Sequence, residues 1–264
     1  METGQSSIKI GTQWAKDSFL LLRKKPLKWV LLALVYVILF LGLPASPATP
    51  FLFNVAVIIT WPIFLALAIG LFREVDFDRT TTVTELFHQM RPTLSKLVAL
   101  GAICLLYGII VAVLTKGDAV LLAGLANPNK PPADMSQIWP PLLKFFALLV
   151  PLLMATWFAP AIIAFQNASV LQAVKSSIAG SLKYAVALGV AWLMLTIVMM
   201  LAMLLLGVVL GAFIGVSHML GSVLIQVTMT LSLLLATAWM LAFQYICYRD
   251  VFDPTPVGGG EMAL

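Results

Sequence analysis

The residues of this chain best suited to chemistry are few and sit close together. The run Arg73-Glu74-Val75-Asp76-Phe77-Asp78-Arg79, followed by Glu85 and His88, is its densest group of ionisable side chains. Glu85-x-x-His88 has the spacing by which di-iron carboxylate bundles present two ligands from one helix. Such sites need a second pair and further glutamates, and the chain offers one pair. Asp76, Asp78, Glu85 and His88 have donors for a divalent ion, but a solvated, salt-bridged turn is the simpler reading. The two histidines, His88 and His218, fall on opposite sides of the membrane in the topology derived below. A His-based triad therefore has no support, and neither a nucleophile elbow nor an HExxH sequence occurs. Cys104 and Cys247 lie far apart inside apolar runs, which excludes a disulfide framework and a CxxC metal site. No catalytic residue, metal or cofactor is expected, and the chain reads as a non-enzyme.

The elements that position these residues are dictated by composition. Of 264 residues, 61% are hydrophobic and 10% charged, with mean hydropathy +1.03. A soluble domain carries about 25% charged residues, so lipid must cover much of this surface. A spanning helix needs about 20 apolar residues. Six stretches qualify: Leu27–Leu43, Phe51–Phe72, Leu97–Thr115, Leu142–Phe165, Ala185–Val216 and Leu220–Tyr248. The expected fold is all-α: a polytopic bundle of six transmembrane helices in one domain, 1–253, followed by a flexible tail, 254–264.

Charge placement sets the orientation. Of sixteen Lys and Arg residues, only Lys116, Lys130 and Lys144 fall in the alternate loops, leaving thirteen on the side of the termini. The positive-inside rule then places both termini in the cytoplasm. A cleaved signal peptide is the rival reading of the start, but Lys24-Lys25-Pro26-Leu27-Lys28 abuts the apolar run like an anchor. The loop Lys116–Pro141, rich in proline, reads as irregular. The basic residues flank spans and form no separate module, so nucleic acid is not an expected partner.

Three inner segments read as amphipathic helices at the cytoplasmic interface: Ile8–Lys25, Val83–Lys96 and Ser169–Lys183. Apolar faces with basic rims suit an anionic leaflet. Lys16, Arg23, Lys24, Lys25, Lys175 and Lys183 form the inner-face basic collar. Gln13-x-x-Lys16-x-Ser18 matches Gln172-x-x-Lys175-x-Ser177, and Lys24 matches Lys183 at the same offset. The chain thus reads either as three copies of lead-in helix plus two spans (8–84, 85–168, 169–253) or as three independent basic lead-ins.

Within the spans the polar residues are mild. Asn54, Gln226, Thr230 and Gln244 form a candidate polar stripe, read as a pathway or as inter-helix hydrogen bonding. Gly207, Gly211 and Gly215 lie four apart on one helix face and mark a packing contact, within the chain or in a homo-oligomer. Pro151 and Pro160 each remove a helical hydrogen bond, so the fourth span should kink. Away from the span ends there are no ionisable groups except Lys144, which argues against an ion-coupled pump.

Trp157-Phe-Ala-Pro160-Ala-Ile-Ile-Ala-Phe, then Ala173-Val-Lys175-Ser-Ser177, resembles uncharacterised proteobacterial inner-membrane proteins. These are related to the YciC family and to the membrane domain of some glycerophosphodiester phosphodiesterases. Trp14 through Trp29 and Tyr248-Arg-Asp-Val-Phe252 fit the same group. The resemblance implies a six-helix protein of the bacterial inner membrane. It carries over no enzymatic activity, because the soluble phosphodiesterase domain is missing. The expected role is a non-enzymatic component that supports envelope or lipid handling, or scaffolds a membrane partner, with anionic inner-leaflet lipids as partners. The alternative is a transporter or channel for a small or amphipathic solute.

Overall fold

Lipid offers no water to backbone groups, so a chain this apolar must satisfy them internally. The structure, a computed structural model, describes residues 2–125, 135–214 and 218–253, and its regular elements there are all helical. In chain order they are α1 (Glu2–Lys24), α2 (Pro26–Val37), a π-helical turn (Ile38–Gly42), α3 (Leu43–Ala45), α4 (Phe51–Asp76), α5 (Val83–Met90), a 3-10 turn (Arg91–Thr93), α6 (Leu94–Leu125), α7 (Met135–Thr156), α8 (Ala159–Gln166), α9 (Val170–Lys183), α10 (Ala185–Ile214) and α11 (His218–Phe252). Six helical stretches are long and apolar enough to cross a membrane: Pro26–Ala45, Phe51–Asp76, Val83–Ala119, Ser136–Gln166, Ala185–Gly211 and Gly221–Phe252. The chain is thus compatible with a multi-pass integral membrane protein.

The chain divides into two compact units. The first comprises Met1–Thr49, Leu65–Gln89 and Ser181–Leu264; the second comprises Pro50–Phe64 and Met90–Gly180. In the first unit α1 packs on α10 and α11, which also meet each other, and α2 packs on α11. An added Cβ at Gly11 would collide with the carbonyl oxygen of Ala187, so α1 and α10 touch backbone to backbone. Trp29 stacks on Phe72 at 3.8 Å between ring centroids. In the second unit α6 packs on α7 and α8. Gly101 makes the corresponding close approach, to the backbone of Ile59.

Two expectations are revised. The irregular loop over Lys116–Pro141 is instead largely helical: α6 runs on to Leu125 and α7 starts at Met135, taking Pro140 and Pro141 within it. The extension of α6 is rich in Ala and Leu, strong helix formers that outweigh Gly117 and Gly124. The centre of that loop, 126–134, lies outside the described residues, as do Gly215 and the expected tail 254–264. The fourth span does more than kink. Pro151 is accommodated inside α7, the helix breaks at Trp157-Phe158, and Pro160 opens α8 near its first turn, where a missing N–H costs nothing.

Candidate functional site at the charged end

The first unit gathers its charges where α1, the end of α4 and the end of α11 meet. Arg249 on α11 is the hub. Its Nη1 donates to Asp76 Oδ2 at 3.0 Å, its Nε donates to Asp250 Oδ1 at 2.8 Å, and its Nη2 lies 3.7 Å from Asp17 Oδ2. One planar guanidinium thus serves three carboxylates, a geometry that a lysine cannot reproduce. Asp76 Oδ2 also accepts from Tyr245 Oη at 2.9 Å. Side-chain exposure is 10% at Asp76 and 18% at Arg249, so this pairing sits in little water. Trp14 Nε1 donates to the free Asp250 Oδ2 at 2.9 Å. Arg73 pairs with Asp253 at 2.9 Å. The result ties the last turns of α11 to the lead-in helix and to α4. Sequence reading placed Asp76 in a solvated turn; its partner Arg249 is 173 residues away, beyond the reach of local spacing.

Glu85 has a structural task. Its carboxylate accepts the Thr82 backbone N–H at 2.8 Å while Thr82 Oγ1 accepts the Glu85 N–H at 3.3 Å, a capping box that starts α5. Ser169 and Gln172 make the same box at the start of α9. The Glu85-x-x-His88 spacing is therefore accounted for by helix initiation.

The lead-in helices turn inward a face that includes small residues and leave several large apolar residues outward. On α1, Gly11, Ala15 and Ser18 are buried with Trp14 and Leu21, whereas Ile8, Phe19 and Leu20 are exposed. On α9, Ala173, Ser177, Gly180 and Ser181 are buried, whereas Leu171 and Leu182 are exposed. Each helix thus has one face packed on protein and exposed apolar side chains on another, Phe19 resting its ring against Trp239 at 5.6 Å between centroids. Among the collar residues, Lys16, Arg23, Lys25, Lys175 and Lys183 are exposed. Aligned on Lys24, Lys96 and Lys183, the three lead-ins share one burial register: Trp14, Leu86 and Ala173; Ser18, Met90 and Ser177; Leu21, Thr93 and Gly180 are all buried.

Two of those lysines do the same work. Lys24 Nζ donates to the Asp76 carbonyl at 3.3 Å, at the end of α4 and beside Asp78, whose φ is 54°. Lys96 Nζ donates to the Asn167 carbonyl at 2.8 Å and to its side chain at 2.7 Å, at the end of α8, where φ of Asn167 is 52°. Each lysine holds the carbonyl end of a returning span, where a left-handed residue stops the helix and a cation suits the dipole. Lys183 differs: its ammonium lies 5.3 Å from the Tyr184 ring centroid.

The serines of the shared motif are both load points of packing. Ser18 Oγ accepts Trp239 Nε1 at 2.9 Å and donates to the Ala15 carbonyl. Ser177 Oγ accepts the Phe158 N–H at 3.0 Å and donates to the Met154 carbonyl at 2.7 Å. Met154 and Phe158 are the i, i+4 pair that an unbroken helix would join, so one hydroxyl bridges the break between α7 and α8.

The other expected residues are scattered. Gln244 is buried, but Gln226 and Thr230 are exposed, and Thr230 Oγ1 donates to the Gln226 carbonyl of its own helix. Asn54 Oδ1 is buried without a hydrogen-bond partner among the described residues. Gly207 and Gly211 would meet nothing within 4 Å among the described residues if given a Cβ. They border an apolar cleft of about 210 Å³ between α10 and α11, lined also by Met203, Leu206, Leu210 and Met229. The expected backbone contact at these two glycines is not made within the described chain, because the facing helices leave that cleft between them. Lys144 pairs with Asp118 at 2.8 Å. The chain matches no family model, no curated protein and no solved structure.

Proposed function

We propose that this chain is a non-enzymatic component of the bacterial inner membrane whose working surface is its basic cytoplasmic face, engaging anionic lipid in support of envelope or lipid handling. The observation that supports this best is the division of labour on α1 and α9. One face, small residues together with Trp14 and Leu21 on α1, takes the protein contact, and lysines with other large apolar side chains are left outward, the pattern of a helix seated in a headgroup layer. In this reading both termini are cytoplasmic, the three lead-in helices are interfacial, and the chain descends from a triplicated unit. The common burial register and the paired roles of Lys24 and Lys96 support the triplication. The resemblance of the Trp157–Phe165 and Ala173–Ser177 motifs to the YciC-related group fits the same assignment.

The test is deletion of the coding sequence with lipid profiling, together with capture of the tagged protein in mild detergent. A changed inner-membrane lipid profile is expected. An unchanged profile with a stoichiometric protein partner would reject lipid handling in favour of a scaffold.

A further inference from the structure

We propose that the corner between α1 and α2 is a discrete site for one anionic phospholipid, its phosphate between Lys25 and Lys28 and an acyl chain along the outward face of α2. The inference rests on the basic-face reading above and narrows it to one place.

The chain leaves helical geometry at Lys25, with φ −145° and ψ 67°, and resumes at Pro26. Lys25 lies close enough to Lys28 for the two charges to act on each other. Neither makes an ion pair or hydrogen bond through its side chain among the described residues, whereas Lys24 beside them is engaged by Asp76 and Asp78. Lys28 is half-buried, and its ammonium lies 5.7 Å from the Trp29 ring centroid. Trp29 is itself fixed, stacked on Phe72 and donating through Nε1 to the Leu21 carbonyl at 3.3 Å. Lys28 therefore has a rigid platform beneath it. Glu74 acts on Lys28 electrostatically but is already engaged by Thr81 Oγ1 and Arg79. Two neighbouring cations are thus left with no anion of their own, one of them held in place.

The surface beside them is lipid-like along its length. Leu27 is 72% exposed and Leu31 54%, and the exposed stripe continues through Leu34, Val35 and Ile38 at helical spacing. From Leu27 to Ile38 the helix rises about 16 Å, close to the roughly 15 Å of hydrocarbon in one leaflet. Charge complementarity selects an anionic headgroup. A zwitterionic lipid would bring its own cation to a place already holding two.

Native mass spectrometry of the full chain in mild detergent, with phosphatidylglycerol or phosphatidylcholine added, tests the site. The wild type should retain phosphatidylglycerol in preference. Lys25→Gln with Lys28→Gln should weaken the first phosphatidylglycerol by about tenfold or more, each lysine near a surface charge being worth a comparable share. Lys25→Arg with Lys28→Arg should keep it, and Lys9→Gln with Lys16→Gln should leave it nearly unchanged. Equal weakening by the two glutamine pairs would overturn the discrete site while leaving the basic-face reading intact. No preference for phosphatidylglycerol in the wild type would overturn both.

Discussion

At the break between α7 and α8, Ser177→Ala removes one hydroxyl and strands two backbone groups, the Phe158 N–H and the Met154 carbonyl. A buried unsatisfied group costs about 1–3 kcal/mol, so the melting temperature in detergent should fall clearly. Ser176→Ala, whose side chain is less buried, should leave it unchanged; equal effects would refute the bridging role. Arg249 poses the matching question in the first unit. Arg249→Lys keeps the charge but gives up the fork that reaches Asp76, Asp250 and Asp17 together. Losing one hydrogen bond between charged groups costs roughly 1.5–3 kcal/mol. Arg249→Met should cost more, about 3–5 kcal/mol, because partly buried carboxylates lose their cation. If the methionine variant melts like wild type, the network is not what ties α11 to α1.

Elements differ in how far the sequence revealed them. The spans were legible because a membrane's thickness imposes a length that any apolar run must meet. The lead-in helices were legible because basic and apolar residues recur with helical period. Which face of α1 turns inward was not. Ile8, Phe19 and Leu20 look like the core face by hydropathy, yet they are exposed while Gly11, Ala15 and Ser18 are buried beside Trp14 and Leu21, since in lipid small residues gain from close approach and large ones lose nothing outside. The same physics explains the glycines. Gly207-x-x-x-Gly211 has the familiar spacing and faces a cleft, whereas the isolated Gly11 and Gly101 carry the tight contacts. Gly11→Ala and Gly101→Ala should therefore destabilise by about 1–3 kcal/mol, the usual cost of overpacking. Gly211→Ala should be neutral or mildly stabilising, because alanine is the better helix former. Thermal unfolding of the three variants side by side checks the ordering, and a loss at Gly211 as large as at Gly11 would contradict it.

For the whole molecule the decisive quantity is the sidedness of charge. Lysine and arginine near span ends set orientation because moving them across the membrane is costly, and here Lys116, Lys130 and Lys144 oppose all the rest. The network around Arg249 brings the middle of α1 and the end of α11 together, which fits the proposed topology with both ends of the chain on one side. In the proposed topology the charge bias makes that side cytoplasmic. In a background with Cys104 and Cys247 replaced by alanine, Ser6→Cys should react with a membrane-impermeant maleimide only after the cells are opened. Lys130→Cys should react in intact cells. Reaction of both from outside would break the six-span count, since three crossings lie between Ser6 and Lys130 and two sites on one side need an even number. Reaction of Ser6→Cys alone would invert the topology and move the Lys25–Lys28 corner to the outer leaflet. The lipid site would then have to be sought among outer-leaflet anions, so this labelling experiment ranks before the others.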